Sequence, residues 1–331
     1  MTHSLRAVCC AVFLLSASLS NAAMAASLAD HYPERPIRIV VPFVAGGGGD
    51  FIVRAWADKL SDTLKQPIIV DNRGGGNTVV GTDIVAKAAP DGYTLLIVSP
   101  SIATNPALIP NLPYKTPDDF APVGLVITYA MGLGARASLP ANNVQELLAL
   151  ARATPGKLSM ATSGEGSATD MAAELFKSAT GAEILVVPYR GAGQGVMDVA
   201  SGHVDLLFTG MSQLRAHLDS KRIKLLATSG HLRLKSAPDT PTIAEQGFPG
   251  FESVVWWGIL APAGTPPEIV RKLNDALATS LLHPDVTTRL AVIDGEVRLS
   301  SPQEFDQFLR AELVRWGKLL KPAATPDKPA S

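Results

Sequence analysis

The sequence is poor in cysteine, which limits its redox chemistry. Its two cysteines, Cys9 and Cys10, lie in an N-terminal stretch where one basic residue precedes the apolar residues 7–19. Small residues follow, and they offer a cleavage site of the A-x-A type that ends at Ala25. The apolar run is too short to span a bilayer. We therefore predict that residues 1–25 are a signal peptide, and that the exported, soluble protein has no thiol, disulfide or thiolate-bound metal.

Charge of one sign is also missing. The chain has 29 basic and 30 acidic residues, a formal net charge of −1. This balance does not favour binding to nucleic acid or to an anionic membrane. The 6 histidines show no metal-ligand spacing, and there is no G-x-S-x-G motif of a serine hydrolase. We predict no metal and no cofactor, and we do not expect an enzyme.

Glycine, in contrast, is concentrated where an apolar run meets a helical pattern. Residues 37–41 are short and β-branched, as in a buried parallel strand, and the glycines 46–49 follow. A helix face comes next, formed by residues spaced four apart: Ile52, Trp56, Leu60 and Leu64. Glycine allows a positive φ and exposes backbone N–H groups, and a helix N-terminus favours an anion. The stretch predicts an anion-binding turn; the alternative is a turn with only a structural role.

The glycine turn matches neither nucleotide-binding motif. No Gly-Lys-Ser/Thr follows it, so it is not a P-loop. The third glycine of G-x-G-x-x-G is replaced by Phe51 or Ile52.

The same strand-turn-helix pattern recurs along the chain. Strands are predicted at residues 67–71, 93–98, 123–129, 158–162, 184–187, 204–208, 223–228 and 254–260. Several end in glycine or serine turns, and the turn at 163–167 repeats the design of the first one. Parallel strands place such turns at the same edge of a sheet, where α/β proteins bind ligands.

The order of several motifs resembles the Bug family, the extracytoplasmic solute receptors of tripartite tricarboxylate transporters. The motifs span nearly the whole chain after residue 25 and include Tyr32-Pro33-x-Arg35-Pro36-Ile37, Val41-Pro42-Phe43-x-x-Gly46-Gly47-x-x-Asp50, Val70-Asp71-Asn72-Arg73, Pro90-Asp91-Gly92-Tyr93-Thr94-Leu95, Val187-Pro188-Tyr189-x-Gly191 and Ala261-Pro262-Ala263-Gly264-Thr265-Pro266. The resemblance implies a periplasmic α/β binding protein of the type II-like kind, with two domains that close on a small carboxylate. It also implies a transporter permease as partner.

The expected domains follow from the return of strand and helix patterns after the second series. Domain 1 is predicted to comprise residues 29–129 and 238–321, and domain 2 residues 130–237. Each would hold a parallel or mixed sheet flanked by helices, with the ligand cleft between them. We expect residues 322–331 to be a frayed tail and the protein to be a monomer.

The resemblance and the turns together select the expected ligand-binding residues. In the first domain these are Phe43, Gly46, Gly47, Gly48, Gly49, Asp50, Asn77, Ser99, Ser101 and Trp257. In the second they are Ser163, Gly164, Gly166, Ser167, Thr169, Tyr189, Arg190 and Thr209. The family's turns hold the ligand carboxylate partly through water. Two departures from the family pattern bear on the identity of the ligand: Thr169 or Asp170 replaces a histidine, and Thr209 replaces an acidic residue. A third, Ala45 in place of a proline, affects only the stiffness of the turn.

Several of these residues have a structural alternative. Asp50 suits a helix N-terminus, and Ser167 with Asp170 predicts a capping box whether or not a ligand binds. Arg190 is either a carboxylate ligand or a solvated loop charge. Tyr189 is either cleft wall or core. Trp256 and Trp257 alternate on one strand, so only one of them faces the cleft.

Two other functions remain open at this point. A receptor of this kind can present its ligand to a signalling system instead of a permease. A secreted α/β enzyme is the third possibility, since a fold by itself does not exclude catalysis.

Overall fold

Eleven strands and ten helices make up the described part of the chain. The structure is a computed structural model that describes residues 31–189 and 191–320, so the predicted signal peptide, Arg190 and the tail lie outside the described residues. The strands are β1 Ile37–Val41, β2 Ile68–Asn72, β3 Thr94–Val98, β4 Phe120–Ala130, β5 Gly132–Arg136, β6 Leu158–Thr162, β7 Ile184–Pro188, β8 Leu206–Thr209, β9 Ile223–Thr228, β10 Val254–Pro262 and β11 Glu296–Val297. The helices are α1 Gly48–Leu64, α2 Val79–Ala86, α3 Ser101–Leu108, α4 Val144–Ala153, α5 Ala168–Thr180, α6 Ala192–Ser201, α7 Met211–Asp219, α8 Pro267–Leu281, α9 Pro284–Ala291 and α10 Pro302–Leu319.

The strands form two mixed sheets. The first has the order β11-β4-β10-β3-β1-β2 and the second the order β7-β6-β8-β5-β9. In the first sheet β1 pairs in parallel with β2 and β3, and β10 runs antiparallel between β3 and β4. In the second, β6 pairs in parallel with β7 and β8, and β5 runs antiparallel between β8 and β9. The predicted fold class, two helix-flanked parallel or mixed sheets, is confirmed.

The parallel pairing brings the predicted turns to one edge of each sheet. Val41 at the end of β1 pairs with Asn72 at the end of β2, and Thr162 at the end of β6 pairs with Pro188 at the end of β7. The glycine turn after Val41 and the serine turn after Thr162 therefore both lie at carboxyl ends of strands.

The chain passes between the sheets at a place where three segments lie side by side. The Met131 N–H donates to the Ser229 hydroxyl at 2.9 Å, and the Ser229 N–H donates to the Met131 carbonyl at 2.9 Å. The Ser253 N–H donates to the Ser229 carbonyl at 2.8 Å. These bonds join the segment between β4 and β5 to the return between β9 and β10. The residue numbers at which one domain ends and the other begins stay a prediction.

Strand β5 is absent from the sequence-based prediction, and its glycines explain why. Gly132 and Gly134 break the β-branched pattern that a strand normally shows. A Cβ at Gly132 would lie 2.6 Å from Leu225 Cδ1 and 2.7 Å from Leu214 Cδ1. Glycine is thus needed for close packing against β9 and α7, a requirement that only the tertiary structure reveals.

Helix α3 is also missing from the prediction, because Pro106 in its second turn normally indicates a helix break. Helices α7 and α9 and the short strand β11 are also absent from the prediction. Within residues 31–189 and 191–320, no helix is long and apolar enough to cross a membrane. Over the same ranges, no three His, Cys, Asp or Glu side chains come together in a way that would hold a metal ion.

Candidate functional site

A cleft of about 740 Å³ opens where the turns of the two sheets face each other. Its walls come from the turns after β1, β2, β3, β6 and β8 and from the inner faces of β4 and β10. Thirteen of the predicted ligand-binding residues line it: Phe43, Gly46, Gly47, Gly48, Gly49, Asn77, Ser99, Ser101, Ser163, Ser167, Thr169, Thr209 and Trp257. No charged side chain lines it among the described residues.

The first-domain turn is built around one glycine and one carboxylate. Gly46 has φ of 77°, and its N–H donates to Asp50 Oδ2 at 2.9 Å. The Gly47 N–H donates to the Val44 carbonyl at 3.1 Å. Gly48 and Gly49 begin helix α1, so their N–H groups have no acceptor within the helix. The expectation of positive φ holds only at Gly46, since Gly47 has φ of −77°.

Asp50 stabilises this turn from behind. It is buried, and it accepts from Arg54 Nε at 2.8 Å as well as from Gly46. Burial alone would raise the pKa of the Asp50 carboxyl, but the hydrogen bonds from Gly46, Asn72 and Arg54 outweigh it and the pKa is lowered. Asp50 is therefore ionised at neutral pH. It stabilises the turn without lining the cleft.

The second-domain turn repeats the hydrogen bonds of the first. Gly166 has φ of 70°, and its N–H donates to Asp170 Oδ2 at 2.9 Å. The Ser167 N–H donates to the Gly164 carbonyl at 3.2 Å, as Gly47 does to Val44. Ser167 is the N-cap of helix α5 and accepts from the Asp170 N–H at 3.3 Å. In a capping box the Asp170 side chain would accept from the N–H of the N-cap residue, Ser167, whereas here it accepts from Gly166, one residue earlier. The arrangement is therefore a variant of the expected capping box.

Three hydroxyl groups cover the second turn. The Ser163 N–H donates to Thr169 Oγ1 at 2.7 Å, and the two side-chain oxygens of these residues are 2.8 Å apart. Ser167 Oγ lies 3.1 Å from Thr169 Oγ1. Each hydroxyl can both donate and accept a hydrogen bond, so this cluster can bind a ligand group that accepts or one that donates.

The opposite wall of the cleft is aromatic. The rings of Phe43 and Trp257 meet edge to face with centroids 5.3 Å apart. A Cβ at Gly49 would lie 2.7 Å from Phe43 Cδ2 and 3.0 Å from Trp257 Cζ3, so glycine is required beneath these rings. Trp256 is the core residue of the pair, since its Nε1 donates to Glu312 Oε2 at 3.1 Å. Trp257 is thus the tryptophan that lines the cleft.

A polar contact joins the two sides of the cleft. Thr104 Oγ1 on α3 donates to the Gly166 carbonyl at 3.0 Å. Asn77 Nδ2 donates to Asn105 Oδ1 at 2.8 Å and lies 3.5 Å from the Glu165 carbonyl. Asn77 therefore lines the cleft and also connects its two sides.

Four predicted residues do not line the cleft. Asp50, Gly164 and Gly166 form the turns without facing the cavity. Tyr189 is turned aside: its hydroxyl donates to Asp198 Oδ2 at 2.6 Å, an interaction that is the main cause of raising its pKa to about 12. The predicted role of Arg190 concerns a residue outside the described ranges.

Sequence reasoning missed other lining residues. They include Tyr129 and Met131 near the crossing of the chain and Ser212 and Gln213 at the start of α7. Ser212 and Gln213 follow a strand and Gly210, which is the same strand-turn-helix order that identified the other turns. This order in the sequence could have predicted that the two residues line the cleft. The pair near the crossing carries no such signal, because strand residues reach the cleft only through the relative position of the sheets.

The chain matches the family model described as tripartite tricarboxylate transporter family receptor over residues 52–324. A relative, BugT of Bordetella pertussis, is 35% identical over 92% of this chain and 94% of its own length. The solved structure of the periplasmic binding protein BugD is 34% identical, with a TM-score of 0.75 over 88% of this chain and 98% of its own.

Two further solved structures contain carboxylates. Rpa4515 of R. palustris, determined with adipate, is 36% identical, with a TM-score of 0.78 over 88% of this chain and 97% of its own. MatC from Rhodopseudomonas palustris, with bound malate, is 31% identical, with a TM-score of 0.75 over 87% of this chain and 100% of its own. The chain belongs to the tripartite tricarboxylate transporter receptor family, whose structural relatives are solute-binding proteins of the periplasm.

Proposed function

We propose that this receptor captures a small carboxylate, either a dicarboxylate, a tricarboxylate or an aromatic carboxylate, and delivers it to the membrane permease of a tripartite tricarboxylate transporter. Adipate and malate in two structural relatives support the ligand class. The N-terminal pattern of residues 1–25 supports export to the periplasm. On this proposal the protein changes no covalent bond of its ligand.

One observation carries the proposal: two turns with the same hydrogen-bond pattern face a single cleft. The Gly46–Asp50 bond and the Gly166–Asp170 bond have the same length, 2.9 Å, and each precedes a helix N-terminus. Free N–H groups and the helix dipoles of α1 and α5 favour an anion at this place. With no charged side chain lining the described cleft, the anion would be held by backbone and hydroxyl donors and by water.

The residues proposed to contact the ligand are the thirteen predicted residues that line the cleft. Gly164 and Gly166 would shape the second turn, and Asp50 the first. We further propose that the division into residues 29–129 with 238–321 and residues 130–237 describes two domains that move as units. Ligand would then be trapped by closure about the segments near Met131 and Ser229.

Calorimetric titration of the purified protein against a carboxylate panel tests the proposal. The panel contains dicarboxylates, tricarboxylates and aromatic monocarboxylates, and neutral sugars and primary amines of similar size serve as controls. At least one carboxylate should bind with a dissociation constant in the micromolar range or below. Binding of sugars or amines with no response to any carboxylate would refute the proposal.

A further inference from the structure

A phenol and an indole stand side by side on the cleft face of the first sheet. In the antiparallel register, Tyr129 on β4 pairs with Val255 on β10, two residues before Trp257. Alternate residues of a strand share a face, so Tyr129 and Trp257 are diagonal neighbours on one face. All three residues line the cleft. The pairing of two distant strands therefore places these two polar aromatic side chains together on the inner wall.

The contact between the two side chains has a fixed direction, because an indole N–H can only donate. Trp257 is 5% exposed, and its Nε1 has no hydrogen-bond partner at normal distance within residues 31–189 and 191–320. It still lies near enough to the Tyr129 oxygen to oppose the rise that burial causes in the tyrosine pKa, which reaches about 12. Tyr129 is thus the acceptor in this contact. It keeps its own proton at neutral pH and has that proton left to donate to another group.

The hydroxyl end of Tyr129 lies beside a helix N-terminus that belongs to neither of the two turns. A Cβ at Gly210, the N-cap of α7, would lie 3.7 Å from Tyr129 Cε2 and 3.8 Å from Ser212 Oγ. Met211 and Ser212 begin this helix, so their N–H groups have no acceptor within it. This end of the cleft therefore combines a side-chain donor, backbone donors and the positive end of a helix dipole.

Trp257 extends from the first turn towards these donors. A Cβ at Gly48 would lie 3.9 Å from Cζ2 of the indole, and one at Gly49 would lie 3.0 Å from Cζ3. The six-membered ring is therefore beside the first turn, while the N–H is near Tyr129. A ligand whose carboxylate lies between the two turns can place its body along this ring and its far end at Tyr129 and α7.

We propose that Tyr129 and the N-terminus of α7 form a second polar subsite, which binds an acceptor oxygen at the far end of the ligand, and that Trp257 positions the Tyr129 hydroxyl. The preferred substrates are carboxylates that carry a second acceptor oxygen, as a second carboxylate or a keto group. An alkyl end would leave the donors without a partner, and an ammonium end would place a donor against donors. This inference rests on the proposed function and specifies the far end of its ligand.

Three sets of matched probes test the inference by calorimetry. The five-carbon set is pentanoate, 4-oxopentanoate, glutarate and 5-aminopentanoate, and the six-carbon set is hexanoate, 5-oxohexanoate, adipate and 6-aminohexanoate. The aromatic set is 4-methylbenzoate, 4-acetylbenzoate, terephthalate and 4-aminomethylbenzoate. In the set that binds most tightly, the keto acid or the diacid should bind at least about tenfold more tightly than the alkyl acid, and the amino-substituted acid should bind most weakly.

The results separate the inference from the proposed function. Tighter binding of the keto acid or of the diacid supports the subsite and identifies the source of the second oxygen. An alkyl acid that binds as tightly as both of them, or an amino-substituted acid that binds most tightly, overturns the inference and leaves the proposed function standing. If no carboxylate of any set binds, both fail.

Two variants test the roles of the aromatic pair. Tyr129→Phe removes the donor and keeps the ring, so the ratio of the alkyl-acid to the acceptor-acid dissociation constant should fall at least about threefold. Trp257→Phe removes the N–H and should lower the same ratio, whereas a merely structural role of the indole would weaken all members of a set alike. The control is Tyr93→Phe, since the Tyr93 hydroxyl accepts from the Glu34 N–H at 2.9 Å and does not line the cleft. This control should leave the ratio unchanged.

An unchanged ratio in Tyr129→Phe, with circular dichroism showing a folded protein, would overturn the inference. Arg190→Ala tests the rival mechanism, in which a guanidinium captures the second oxygen. If the ratio is lost in Arg190→Ala and retained in Tyr129→Phe, Arg190 holds that oxygen and the subsite proposed here is wrong.

Discussion

The matched variants Asp50→Asn and Asp170→Asn should have different effects on stability, although the two carboxylates make the same bond. Each accepts from a glycine N–H at 2.9 Å, and an amide oxygen can still accept that bond without the charge. The difference lies in the neighbour four residues later: Arg54 in one helix and Glu174 in the other. Comparing the two variants therefore isolates the electrostatic contribution of the neighbouring charge to the free energy of unfolding.

The magnitude follows from the bonds that are lost. Replacing a charged acceptor by a neutral one weakens a hydrogen bond by about 1 kcal/mol. Asp50→Asn also loses the Arg54 ion pair, worth about 0.2 to 1 kcal/mol because Arg54 is 54% exposed. The free energy of unfolding should fall by about 1 to 2 kcal/mol. In Asp170→Asn the weaker bond is offset by relief of a buried charge and of repulsion from Glu174, so the net change should be about zero or stabilising.

The pH dependence has opposite signs in the two cases. The pKa of Asp50 is lowered in the folded protein, so its stabilisation is present above the unfolded pKa and is lost as the pH falls through the folded pKa. The pKa of Asp170 is raised, so its ionisation destabilises the fold above the folded pKa and this penalty disappears on acidification. Each variant should approach the parent protein in stability as its carboxyl becomes protonated.

Urea unfolding followed by tryptophan fluorescence, in a series from about pH 7 to below about pH 3, measures both effects. The low end is needed because the lowered pKa of Asp50 keeps this carboxyl ionised at about pH 4. The pH series identifies the cause, since a purely steric effect of the amide would not change with protonation. If Asp170→Asn costs as much as Asp50→Asn near pH 7, the charge contrast between the two turns is wrong.

Three further outcomes are expected. Gly49→Ala should displace the two rings above it and weaken binding, because the loss of packing, about 1 to 3 kcal/mol, exceeds the gain in helix propensity of about 1 kcal/mol. Gly48→Ala is its control, since a Cβ there would lie 3.9 Å from its nearest atom. This control variant should keep the parent's stability in urea unfolding. Ser167→Ala should weaken carboxylate binding by about 0.5 to 3 kcal/mol in calorimetry. If Arg190→Ala weakens it far more, side-chain capture, and not the turns, holds the ligand. Thr104→Val removes a bond across the cleft and should raise the ligand dissociation rate in stopped-flow fluorescence by up to about tenfold; an unchanged rate would show that this contact does not hold the cleft closed.

Local pattern predicted the parts of the fold that depend on neighbouring residues. The strand before Pro42, the glycines after it and the helix face from Ile52 to Leu64 are contiguous, so strand, turn and helix follow from short-range geometry. The N-caps at Asn143 and Ser301 are set in the same local way, because each side chain accepts from the N–H of the residue three positions later. The turns together with the family resemblance selected the thirteen predicted residues that line the cleft.

Other features depend on packing partners far away in the chain. Gly132 and Gly134 look like breaks in a strand, yet β5 lies between two other strands of its sheet. Glycine is required in β5 because Leu214 and Leu225 occupy the space that a side chain at Gly132 would need. The choice between Trp256 and Trp257 was undecidable from alternation, which shows only that they face opposite sides. Glu312, more than fifty residues later in the chain, decides it by accepting from Trp256.

The sequence by itself determined the secondary structure around the turns and the kind of group they offer, because a glycine turn and the helix N-terminus that follows it are set by adjacent residues. It also determined the charge beside each turn, since Arg54 and Glu174 are each four residues from an aspartate. Only the tertiary structure decided which turns face one another, that Tyr189 bonds to Asp198, and that Tyr129 and Met131 reach the cleft. The reason is physical: those relations depend on how two sheets pack and cross, and packing of distant segments leaves no periodic signal in the chain.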